Sequence, residues 1–160
     1  MRFFFISIVA VTTLALVSCQ DKRNKTSPIN KTEVSSVSID IPFVVAKNYF
    51  VNNSIKQLDN PKIETEKKFN KIFGMATTMG KNGKPTKIDF SKQYVIAVLK
   101  PDTDSSTTIE PESLQKNAKG EIVFTYKYKT GEKQTYTTLP NIAIIVDKSE
   151  NGGILINEVK

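Results

Sequence analysis

Apolar positions change character twice along the chain. From Phe3 to Val17 they are nearly contiguous, FFFISIVAVTTLALV, with Arg2 before them and Ser18-Cys19 after. The run falls short of the ~20 residues of a membrane-spanning helix. A positive start, an apolar centre and a small-residue end are the pattern of a secretory signal, expected over residues 1–18. From Gln20 to Ser38 single hydrophobes are scattered among Lys, Ser, Thr and Asn, with no period of 2 or 3.6. Such a stretch cannot bury enough apolar surface to order itself, so residues 19–38 read as a flexible tether. From Ile39 onward the pattern is that of one folded domain, residues 39–160.

Within that domain the period assigns the elements. Ile41, Phe43 and Val45 alternate and Tyr49, Phe50 and Val51 extend the run, which predicts one strand with a bulge near Lys47-Asn48. Phe69, Ile72 and Phe73 stand at i, i+3 and i+4, the face of a short helix. Thr65 can cap it, Glu66 suits the positive end of its dipole, and Gly74 is the expected stop. Residues 75–87 carry Gly80, Gly83 and Pro85 without periodicity and read as a long loop, a kind of segment that often carries function.

The stretches 93–100 (QYVIAVLK) and 141–147 (NIAIIVD) are almost wholly apolar, so they predict neighbouring or near-neighbouring central strands buried on both faces. Residues 101–111 are polar, with room for an edge strand at 106–109. Ile122, Phe124, Tyr126 and Tyr128 alternate cleanly. Thr130-Gly131 predicts a tight hairpin into 133–139, and Asn151-Gly152-Gly153 a turn into a last strand, 154–159. The expected fold is α+β: a mostly antiparallel β sandwich or partly open barrel of six to seven strands with one short helix. It is expected to be monomeric.

Composition narrows the chemistry. A chain of 160 residues, 39% hydrophobic, supports one domain with little room for two cores. It has no histidine, no tryptophan and a single cysteine. A Ser-His-Asp triad, a Cys-His dyad, a His-ligated metal and an internal disulfide are therefore excluded. The net charge of +7 comes from lysine, since Arg2 and Arg23 are the only arginines. Arginine is the residue that reads phosphates and bases in bidentate fashion, so the lysines read as a solvated surface and nucleic acid is not an expected partner.

The remaining polar groups weigh against an enzyme. Glu110 and Glu112 resemble a glycosidase pair only in type; flanking Pro111 on a strand, they read as a solvated acidic edge. Gly80, Gly83 and Lys84 lack the spacing of a phosphate loop. Asp102, Asp104 and Ser106 have a calcium-like D-x-D-x-S spacing, but Thr107 stands where the loop needs glycine and Ser113 where it needs glutamate. Lys67, Lys68 and Lys71 are the solvated face of the helix. Tyr126, Tyr128 and Tyr136 could bind sugars, yet Tyr126 and Tyr128 continue the Ile122/Phe124 face, which favours core packing. No cofactor and no metal are expected.

Leu16-Val17-Ser18-Cys19 resembles the bacterial lipobox. The resemblance implies that Cys19 is acylated and becomes the mature N-terminus, and two or more acyl chains hold a protein on a membrane durably. The membrane is then a partner through the lipid on Cys19. Asp21 does not directly follow the cysteine, which favours the outer membrane within the cell envelope.

The run Asp89-Phe90-Ser91-Lys92-Gln93-Tyr94-Val95-Ile96-Ala97-Val98 resembles a strand of the protease-complex stabiliser C-terminal domain family. In that family a short helix precedes this strand; a polar crossover, an amphipathic hairpin and a Pro-led apolar strand follow it. The chain departs by carrying DTDSSTT where the family has a glycine-rich segment, and residues 41–60 and 75–87 lie outside the shared pattern. The resemblance implies a small envelope protein linked to a partner protease. In size, anchor and lack of catalytic groups the chain is also similar to the lipid-anchored protease inhibitors called potempins. The expected function is a membrane-tethered, non-catalytic regulator, an inhibitor of a secreted or envelope protease. Its expected contacts are Met75, Ala76, Thr77, Thr78 and Met79, with Asp102 and Asp104 as a second candidate. The competing reading is a structural or interaction lipoprotein, such as an assembly factor or adhesin subunit.

Overall fold

A computed structural model describes residues 38–80 and 82–160. The expected signal, nearly all of the tether, and Cys19 lie outside the described residues. In chain order the elements are β1 (Ile39–Asp40), β2 (Val44–Val45), β3 (Tyr49–Val51), β4 (Lys62–Ile63), α1 (Glu66–Ile72), β5 (Phe73–Met75), β6 (Gln93–Leu99), β7 (Thr103–Lys116), β8 (Ile122–Thr138), β9 (Asn141–Asp147) and β10 (Ile154–Val159). One sheet has the order β1-β7-β8-β10, a second β2-β9-β6-β4, and β3 and β5 form a two-stranded ribbon. All pairs are antiparallel except β8 with β10. Both four-stranded sheets are open, so the architecture is a sandwich with one short helix. These elements lie in one unit, Ser35–Lys160.

The two apolar runs are the centre of the fold. β6 and β9 pair directly, Ile96 opposite Ile144 and Val95 opposite Ile145. Alternation sends their residues to two different cores. Tyr94, Ile96, Val98, Ile142, Ile144 and Val146 face the other sheet, where Leu114, Ile122, Phe124 and Tyr126 meet them. Val95, Ala97, Ala143 and Ile145 face the opposite way, against Phe69 and Ile72 of α1, Val51, Ile63 and Phe73. The chain thus holds two cores on the two faces of one sheet, where its length had suggested one. Each fully buried aliphatic side chain contributes about 1.5–3 kcal/mol.

The expected single strand over 41–51 is instead three pieces in three sheets. Ile41 still donates its N–H to Leu114 O at 2.8 Å, beside β1. Pro42 then has no N–H to continue the ladder. The chain crosses the sandwich, and Val44 and Val45 pair with β9. Asn48, at φ 61, turns it again into β3.

Thr65 caps α1 as expected, its side chain accepting from Lys68 N at 3.3 Å. The stop is Phe73, which turns extended, and Gly74 lies inside β5. The Phe50 ring covers the place where a Cβ on Gly74 would project.

Thr130-Gly131 makes no hairpin. β8 runs through it because the whole of β7, including the expected polar loop, pairs with β8 over its full length. The turn lies at Asn117–Gly120, where Gly120 N donates to Asn117 O at 2.9 Å and Gly120 has φ 78. Gly131 serves close approach instead: Ser106 Oγ sits where its Cβ would be.

Candidate functional site

The expected 75–87 loop begins inside β5, at Met75; beyond it no described residue from 76 to 92 lies in a helix or strand, and the 76–87 part is held from behind by the turn at Asn48. β5 ends at Met75, opposite Tyr49. Ala76 N then donates to Asn48 O at 2.9 Å, and on the returning limb Thr86 N donates to Lys47 O at 3.1 Å. The Asn48 side-chain amide donates to the carbonyls of Asn82 at 2.6 Å and Lys84 at 2.9 Å. Tyr49 donates its hydroxyl to Thr86 O at 2.8 Å. Across the loop Thr78 N donates to Gly83 O at 2.9 Å, and Gly83 N to Gly80 O at 3.1 Å.

The outcome is a loop whose two limbs share one brace and whose far end is open to solvent. Thr77, Thr78 and Met79 are exposed, Met79 completely, and Met75 is 67% exposed. Gly83 is required by its position, since Thr78 O occupies the place of any Cβ there. Behind the loop lies a groove of about 420 Å³ with walls of Tyr49, Phe69, Phe90 and Ile88 and with Lys84 and Lys87 among its lining residues. Phe69 is fixed edge-on against Tyr49, their centroids 5.0 Å apart, and stacks on Phe73 at 4.9 Å. Burial pushes the Tyr49 phenol up from its ordinary pKa, so the hydroxyl stays a donor to Thr86.

Met75 and Thr77 also line this groove, whereas Asp102 lines separate hollows beside Ile55, Lys56 and Leu139. Asp102 and Asp104 are half-exposed, and each meets a lysine: Lys56 at 2.8 Å and Lys133 at 3.1 Å. The segment expected as an acidic loop is the entry to β7. The two carboxylates are thus drawn to different lysines rather than to a shared centre. Glu112 lies at a bulge of β7 and pairs with Lys127 at 2.9 Å, which raises the Lys127 pKa through that hydrogen bond.

Asn48 and Tyr49, which hold the loop, are the residues of this candidate site that the sequence reading did not assign to it. A signal existed: asparagine is the side chain other than glycine that best tolerates positive φ, and it sat where the apolar alternation broke. Among the described residues no group of three His, Cys, Asp or Glu converges to hold a metal, and no helix is long and apolar enough to cross a membrane.

Compared with known proteins, the chain matches no family model, no curated protein and no solved structure. Fold and loop together define a class by geometry: a β sandwich that presents a braced loop.

Proposed function

We infer that the protein is a lipid-anchored, non-catalytic regulator that binds a secreted or envelope protease and blocks it by laying residues 76–79 along the substrate cleft. The observation that supports this reading is the double brace of Asn48 on a loop whose far end is fully exposed. A segment already held in its bound shape loses less ordering entropy on docking, which is how an inhibitory loop gains affinity. The aromatic groove beside Met75 offers an apolar recess for a partner side chain at the edge of the same contact. Asp102 and Asp104, each paired with a lysine, take the lesser share.

The experiment is a capture and inhibition assay of the purified protein against secreted metallo- and serine proteases. Replacing Thr77, Thr78 and Met79 with Gly-Ser-Gly is expected to weaken binding by at least about tenfold, or 1.4 kcal/mol. Alanine at Asp102 and Asp104 is expected to change it less. If the wild-type protein neither captures nor slows any protease, the inhibitor reading falls and the interaction-lipoprotein reading takes its place. If the loop variant binds as tightly as wild type while folded, the contact lies elsewhere.

A further inference from the structure

A second pocket lies at the outer end of the β7–β8 pair. There β8 advances five residues, from Lys133 to Thr138, while β7 advances two, from Ser105 to Thr103. The excess pushes residues 134–137 out of register and turns Tyr136 outward, 58% exposed. Gln134 Nε2 donates to the Tyr136 hydroxyl at 2.9 Å, which fixes the direction of the ring. The space beside it measures about 370 Å³.

Its lining is unusual for this chain. Asp104, Lys129, Glu132 and Lys133 stand on the same strands, yet no residue lining the pocket carries a charge at neutral pH. Ser106, Thr107 and Thr138 contribute hydroxyls; Ile109, Leu139 and Pro140 contribute apolar surface. Asn141 spends its Nδ2 on Leu139 O at 2.9 Å, which leaves its amide oxygen as an acceptor. The other two tyrosines of the sugar-binding set are engaged: Tyr126 is buried, and Tyr128 lies under Lys100 Nζ, 4.8 Å from its ring.

We propose that this pocket binds a neutral saccharide, with a pyranose ring stacked on Tyr136 and its hydroxyls paired with Thr107, Thr138 and Asn141. A sugar ring has an apolar C–H face and a rim of uncharged donors and acceptors, and the pocket offers both complements. An anion would find no cation in the lining and a cation no carboxylate. A purely apolar ligand would strip water from the hydroxyls without replacing its hydrogen bonds. The volume falls near the lower end of the ~300–1,000 Å³ of small-molecule pockets, which suits a mono- or disaccharide unit.

The test is saturation-transfer NMR on the full-length protein in a sugar-free detergent. The probes are maltotriose, cellotriose and triacetylchitotriose, with sialic acid and glucosamine as charged controls. At least one neutral probe is expected to receive saturation. Y136A is expected to weaken that binding about tenfold, the scale of one lost aromatic stack with its buried area. Y136F should retain most of it. Because Tyr136 is exposed, both variants should keep the wild-type circular dichroism. Replacement of Thr77, Thr78 and Met79 should leave saccharide binding unchanged, which separates this site from the loop. Saturation of no neutral probe, of the charged controls alone, or equally in folded Y136A overturns the proposal.

Discussion

The side-chain amide of Asn48 donates to the carbonyl of Lys84, 36 residues further along the chain, at 2.9 Å, and also reaches Asn82 O at 2.6 Å. One residue therefore ties the returning limb of the 75–87 loop to the turn that starts β3. Two properties of asparagine are used together, its tolerance of φ 61 and its paired amide donors. Asn48→Gly keeps the first and removes the second. It is expected to raise amide exchange across 76–87 while changing global stability by only about 1 kcal/mol. Asn48→Ala removes both and should cost about 1–2 kcal/mol more for the left-handed backbone. Equal exchange in Asn48→Gly and wild type would mean that the amide is no brace.

Gly83 tests the loop from its other limb. A methyl group there meets the carbonyl oxygen of Thr78, which is backbone and cannot swing aside. Gly83→Ala is expected to break the bond from Thr78 N to Gly83 O and to open the loop, with the sandwich intact. Amide exchange at Thr78 should rise while the melting temperature moves by no more than a few degrees. Protection at Thr78 equal to wild type would show that the two residues are not so closely apposed.

Tyr94 and Tyr126 both project into the sandwich core, yet their hydroxyls have opposite fates. Tyr126 donates to Glu158 at 2.5 Å. The Tyr94 hydroxyl is buried and has no hydrogen-bond partner among the described residues. Removing an unsatisfied buried hydroxyl relieves a desolvation cost; removing a satisfied one strands its acceptor. Tyr94→Phe is expected to stabilise the protein by about 1 kcal/mol, and Tyr126→Phe to destabilise it by a similar amount. Urea melts of the two variants check the signs, and a loss of stability in Tyr94→Phe would refute the assignment.

The central pair β6 and β9 was legible because burial on both faces leaves no polar period to confuse the reading. The one-helix sandwich was legible for a different reason: in the domain a helical spacing was read only at Phe69, Ile72 and Phe73, and the other apolar segments alternate or run continuously. What failed was local chemistry settled by distant partners. Thr130-Gly131 resembles a turn, but β7 lies alongside and holds β8 straight through it. In the polar stretch 101–111 only an edge strand at 106–109 was read; it lies within β7, whose greater length, Thr103–Lys116, was hidden because an exposed strand pairs through its backbone and leaves no apolar trace. Pro42 and Asn48 broke one apparent strand into three, and each break needed a second sheet to receive the chain. Of the candidate contacts, residues 75–79 were visible as an aperiodic stretch. The brace from Asn48 was not, because it spans more than thirty residues.

Cys19 decides the anchor. The lipobox-like Leu16-Val17-Ser18-Cys19 leads to the expectation that the mature protein carries acyl mass and partitions into detergent. Cys19→Ser should abolish both, because no other cysteine exists to accept the lipid. Intact mass of membrane-extracted wild type and variant measures this directly. An unacylated wild type, or a variant that stays anchored, would remove the lipoprotein part of the reading.

Stability should fall at both extremes of pH, through different residues. Glu158 is held below its ordinary pKa by hydrogen bonds from Lys100 at 2.7 Å and from Tyr126. A carboxylate depressed in the folded state lends stability above its unfolded pKa, and that stability drains away as pH falls through the folded value. The effect is modest because Glu158 is more than one-third exposed and the pair is screened. Glu158→Gln should flatten the acid limb below about pH 4.5. Tyr94 shows the opposite shift: burial, with Glu150 and Glu64 nearby, pushes its phenol up from 10.0 to about 12. The folded state keeps the proton longer than the unfolded chain does. Stability is therefore whole below pH 10 and declines as pH climbs towards 12. Tyr94→Phe has no proton to lose, so its alkaline limb should be shallower than that of wild type. Tyr126 also has a raised pKa, so some slope should persist in that variant. Chemical denaturation at intervals from pH 3 to 12 reads both limbs. An alkaline slope identical in wild type and Tyr94→Phe would show that Tyr94 ionises as freely in the folded protein as in the unfolded chain.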